Sequence, residues 1–77
     1  MKKIKKINIK LNGKKTIVDD QISLNKILKN LNIPIKKVAI ELNKEIVNKK
    51  KLSSIKIRNN DIIEIVNFIG GGWYEKR

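Results

Sequence analysis

The sequence predicts an α+β domain, a mixed sheet of four to five strands with one main helix packed on one face. Three observations predict it. An alternating apolar stretch runs into Asn12-Gly13 and out again. Leu24, Ile27, Leu28 and Leu31 recur with helical spacing. Two later runs, Val38 to Leu42 and Ile62 to Phe68, read as strands.

In chain order, Ile7, Ile9 and Leu11 alternate with Asn8 and Lys10, the period of a half-buried strand. Asn12-Gly13 supplies two residues suited to positive φ, as a type I′ turn requires, and Lys14 to Val18 returns as the second strand. Ser23 then caps a helix whose apolar face is Leu24, Ile27, Leu28 and Leu31, with Asp19 and Asp20 just upstream. Asn30, Asn32 and Pro34 end it. Such a short helix depends on packing against the sheet. Val38 to Leu42 is the third strand, Asn43-Lys44 a short turn, and Glu45 to Val47 a brief fourth strand. Lys49 to Ser54 reads as a solvated loop or one helical turn, and Ile55 and Ile57 as an extended piece. After the turn chemistry of Asn59-Asn60-Asp61 comes the last strand. It is apolar on both faces, Ile63 and Ile65 on one and Ile62, Val66 and Phe68 on the other, which predicts a central place in the sheet. One helix covers only one face, so the apolar residues of the other face either pack under a loop or form a docking surface.

Composition narrows the chemistry. Seventy-seven residues allow one small domain with a thin core. The absence of Cys and His removes thiolate nucleophiles, disulfides, the commonest neutral-pH base and the commonest zinc ligands, so no catalytic residue and no metal site is expected. No apolar stretch is long enough to span a membrane and no apolar segment follows the basic start, so a cytoplasmic chain is expected. The net charge of +12 invites a nucleic-acid reading. Against it, Lys outnumbers Arg 17 to 2, the lysines are dispersed, and Lys, Ile and Asn are the residues an AT-rich coding background enriches. Two of the three aromatics also sit in the last five residues, which leaves no stacking platform.

Gly70-Gly71-Gly72 holds three of the four glycines, directly after the last strand. Three glycines do not continue a strand, so the sheet is expected to end near Phe68. The domain then covers 1–69, and 70–77 is a flexible Gly-rich tail with a five-residue extension. A glycine run is most simply a spacer. It also suits a terminus that must thread a narrow channel, where any side chain would obstruct passage.

Two stretches carry a resemblance: "VAIELNKEIV" at 38–47 and "NDIIEIVNFIGGG" at 60–72. With "LNGK" in the hairpin and "SLNKIL" in the helix, they resemble the thiamine-biosynthesis sulfur carrier family, ThiS, from about Ile7 to Gly72. The resemblance implies a ubiquitin-like β-grasp fold and a carrier rather than an enzyme. It implies that an adenylating (ThiF-like) enzyme activates the carboxylate of Gly72 with ATP, the carrier holding no cofactor itself. Sulfur from a donor such as a cysteine desulfurase then gives a thiocarboxylate, which a thiazole synthase (ThiG-like) consumes. Gly70 and Gly71 would thread the partner's channel, and Val66, Phe68 and Ile69 would dock the partner.

The sequence departs from that family where five residues follow Gly72. This fits a precursor cut after Gly72, an artificial extension, or a protein without carrier activity. Sulfur carriage for another pathway such as molybdopterin synthesis, a basic nucleic-acid module and a ubiquitin-like interaction module stand as alternatives.

Overall fold

The computed structural model describes residues 5–69 and 73–76. Strands β1 (Lys6–Leu11) and β2 (Lys14–Asp19) form the expected antiparallel hairpin. Its turn residues Asn12 and Gly13 have φ of 49° and 83°, the two positive values of a type I′ turn. Helix α1 (Leu24–Asn30) follows, with the Lys26 N–H donating to the Ser23 Oγ at 3.1 Å. This satisfies one of the helix's orphan donors. Strands β3 (Val38–Leu42) and β4 (Glu45–Ile46) make a second hairpin, and β5 (Ile62–Ile69) runs between β1 and β3. β5 is parallel to β1 and antiparallel to β3. The main order is β2-β1-β5-β3-β4, so the two-face apolar strand is central as its sequence requires.

The core lies between one sheet face and α1. Ile7 and Ile9 of β1, Ile40 of β3 and Ile63 and Ile65 of β5 meet Leu24, Ile27 and Leu28 there. Each such side chain contributes about 1.5–3 kcal/mol when fully withdrawn from water. Ile57 and Leu52 close the far side. The 55–57 stretch is extended but forms only an isolated bridge, Lys56 with Ser23. The Ile57 N–H donates to the Ile22 carbonyl at 2.8 Å and its carbonyl accepts from Gln21. The lysine run is one 3₁₀ turn (Lys49–Lys51), capped by the Asn48 side chain and pinned by buried Leu52.

Two expectations change. Leu31 is not on the buried face. It is the helix C-cap and 44% exposed, because the chain leaves the helix there and Asn32 turns it back at φ 57°. The sheet also does not end at Phe68. β5 reaches Ile69, and Trp73–Lys76 forms a further strand, β6, antiparallel to β5.

Candidate functional site

The candidate site is the C-terminal end of β5, where the glycines begin. Its geometry follows from strand lengths. β1 pairs with β5 only at Lys10–Ile62 and Leu11–Ile63, because Asn12-Gly13 then turns the chain away. β3 covers β5 from Leu42–Ile63 to Val38–Asn67. Phe68 and Ile69 therefore extend beyond both β1 and β3.

Asn12 ties the hairpin to this strand. Its backbone N–H donates to the Ile63 carbonyl at 2.9 Å, and its Oδ1 accepts from the Ile65 N–H at 2.7 Å. The side chain supplies the ladder bond that β1 can no longer give. Nothing in the sequence marks this second role, since Asn12 is already explained by its turn. At the other end of β5, Asn43 repeats the device. Its Oδ1 accepts from the Ile62 N–H at 2.9 Å, and its Nδ2 donates to Asp61 Oδ1 at 3.1 Å.

β6 takes the edge of β5 that β1 leaves. The register pairs Val66 with Lys76, Asn67 with Glu75, Phe68 with Tyr74 and Ile69 with Trp73. The five-residue extension, expected to be a flexible tail, thus contributes four residues to the sheet. Gly70, Gly71 and Gly72, assigned to threading and activation, lie outside the described residues. So do the side chains of Phe68 and Ile69, two of the three proposed docking residues. The third, Val66, is opposite Ala39 on the face away from α1. It is only 2% exposed between β3 and β6, so in this form of the chain it offers no open docking surface.

The exposed apolar residues of that face are elsewhere: Ile17 on β2 at 68% and Ile46 on β4 at 66%. Lys10 and Lys15 stand directly opposite one another there, while the Lys6 ammonium pairs with Asp19. A shallow hollow of about 530 Å³ is lined by Asn8, Ile9, Lys10, Lys15, Asn60 and Ile62. It sits at the start of β5, roughly 23 Å of strand from Ile69. Among the described residues no cluster of acidic, His or Cys side chains could hold a metal ion, and no helix is long and apolar enough to cross a membrane.

The profile of the ThiS family matches residues 3–72, ending on Gly72. The chain belongs to the ThiS family. Among its relatives, the sulfur carrier protein ThiS of Bacillus subtilis is 35% identical over 65 residues, which cover 83% of this chain and 98% of that one. A thiazole synthase of Paramagnetospirillum magneticum is 36% identical over 62 residues. That alignment covers 80% of this chain but only 19% of the synthase, so the chain spans about a fifth of that relative's length. The crystal structure of the thiamine biosynthesis protein ThiS from Geobacter metallireducens superposes with a TM-score of 0.77 at 28% identity, covering 86% of this chain and all of that one. The fold is the ubiquitin-like β-grasp, a mixed sheet with one helix.

Proposed function

We propose that this ThiS-family chain is a cytoplasmic sulfur carrier whose working group is the carboxylate of Gly72, exposed by removal of residues 73–77. An adenylating enzyme would join that carboxylate to AMP with release of pyrophosphate. The outer sulfur of a persulfide donor would attack the acyl-adenylate and expel AMP, and a second thiol of the donor or the adenylating enzyme would then break the S–S bond, forming a disulfide and leaving the thiocarboxylate. AMP is a good leaving group, so the carrier needs no acid, base or nucleophile of its own. Its contribution is an accessible terminus on a rigid handle.

The observation that carries this reading is the position of the glycines. They follow a central strand that runs past both β1 and β3, and the family match stops on the last of them. A thiazole synthase as the sulfur acceptor is supported by the relative of that name, which carries a region like this chain within one longer polypeptide. Phe68 and Ile69, at the root of the tail, are the proposed docking residues, joined by Val66 once β6 is gone.

ATP–pyrophosphate exchange tests the reading. A chain ending at Gly72, mixed with its cognate adenylating enzyme, is expected to support exchange, and the full chain is not. Exchange equal for both, or absent for both, refutes the assignment of Gly72. Mass spectrometry of protein from its native cell is expected to find the mature terminus at Gly72. A stable mass including Trp73 to Arg77, in cells making thiamine through this chain, refutes the cleavage.

A further inference from the structure

We propose that β6 is a built-in plug. It fills the stretch of the central strand that the β1–β2 hairpin leaves uncovered, and by doing so it keeps any other extended segment from pairing with Val66–Ile69 until β6 is released. The plug itself rests on backbone pairing. Only its consequence for the terminus rests on the carrier reading above.

The argument begins with donors and acceptors. A strand inside a sheet has two edges, and each backbone polar group withdrawn from water needs a partner. On the β3 side, β5 is paired as far as Asn67. On the other side, β1 serves Ile62 and Ile63, and the Asn12 carboxamide takes the Ile65 N–H. Beyond Ile65, the backbone groups of β5 that face this side have no partner from β1, and β6 lies in register with Val66 to Ile69. The plug therefore begins at the residue after the last bond that Asn12 can supply.

Register gives the second part. Ile69 opposite Trp73 is the closing pair, so three residues connect the strands, and these are Gly70, Gly71 and Gly72. Peptide-binding clefts and channels commonly engage their substrates extended, by strand addition. The edge of β5 that is paired with β6 cannot at the same time accept such a segment. On the carrier reading, removal of residues 73–77 takes β6 away and opens this edge at the root of the glycines.

Amide hydrogen exchange on the full chain tests this, with Tyr74→Pro and Glu75→Pro as variants. In an antiparallel ladder alternate residues donate to a given neighbour, and proline removes a donor, so one of two adjacent prolines must delete a ladder bond. In the unaltered chain, amides within Val66–Ile69 that face β6 are expected to be protected. In at least one variant they should exchange about tenfold faster, the factor that the net free energy of one backbone hydrogen bond corresponds to. Amides of Ile9, Ile40 and Ile63 should keep their protection, which shows that the domain is intact. As a second readout, chymotrypsin should cut the Trp73–Tyr74 bond faster in Glu75→Pro than in the unaltered chain. Exchange at Val66–Ile69 as fast in the unaltered chain as in both variants, or equal chymotrypsin rates, overturns the proposal. Neither readout involves ATP, sulfur or a partner, so failure of the carrier reading leaves them unaffected, and their failure leaves the carrier reading standing.

Discussion

Two neighbouring residues of one turn are expected to respond oppositely to the same substitution. Asn43 and Lys44 both have positive φ, 52° and 73°. The left-handed region costs an ordinary residue about 1–2 kcal/mol. Glycine avoids that cost but gives up about 0.5–1 kcal/mol of additional chain entropy on folding. The Lys44 side chain is exposed, so at the middle of these ranges Lys44→Gly should stabilise the fold by about 0.75 kcal/mol, or about 3–6 °C in Tm for a domain of this size. Asn43→Gly gains little, because asparagine already tolerates this region. It also deletes the acceptor for the Ile62 N–H and the donor to Asp61. Two net hydrogen bonds are worth about 1–3 kcal/mol, so this variant should be less stable by that amount. Urea unfolding followed by far-ultraviolet circular dichroism measures both, and an unchanged m-value shows that the midpoint shift reports stability. A neutral or destabilising Lys44→Gly would refute the strain argument, and a stabilising Asn43→Gly would refute the role given to its carboxamide.

Other outcomes follow from the same structure. Leu28→Ala empties a fully buried site under the sheet and should cost about 2–5 kcal/mol in urea unfolding. Asn12→Ala leaves the part-buried Ile65 N–H without its acceptor and should cost about 1–3 kcal/mol, read as a lower Tm and faster exchange at Ile65. Because the chain carries +12 and sets Lys10 against Lys15, Tm should rise as salt shortens the Debye length from about 30 Å at 0.01 M to about 8 Å at 0.15 M. A falling Tm would show that attraction, not self-repulsion, dominates. Phe68→Asp in a chain ending at Gly72 should weaken binding to the adenylating enzyme while far-ultraviolet dichroism stays unchanged. An unfolded variant would move Phe68 from docking residue to core.

The fold was legible wherever one residue's neighbours in sequence decide its state. Asn12-Gly13, the Ser23 cap and the spacing of Leu24, Ile27 and Leu28 are local signals, and each appears where it points. The central place of β5 was legible because a strand with apolar residues on both faces has few other homes. What escaped was long-range. The Asn12 carboxamide bonds a residue 53 positions away. β6 was hidden because a short segment with Glu, Lys and two aromatics after three glycines has no period of its own. Its strand state comes from the vacancy beside β5, which depends on where β1 happens to stop. Leu31 failed for a related reason: its spacing is helical, but the Asn32 turn ends the helix first.

The glycine economy of the fold also acquires a cause. Among the described residues, six other than glycine have positive φ, and four of them are asparagines: Asn12, Asn32, Asn43 and Asn60.

The outer margins of the sheet have a consequence for how copies of this chain meet. β2 is one margin, and it carries Lys14 and Lys15 exposed. The other margin is β4, only two residues long and preceded by Lys44. Short margins and lysines there resist edge-to-edge growth into fibrils, because a second copy would bring like charges together before its backbone could bond. The positive charge thus acts against self-association. The place on this sheet that takes a further strand is instead beside the β1–β2 turn, along Val66–Ile69, and β6 already fills it from within the same chain.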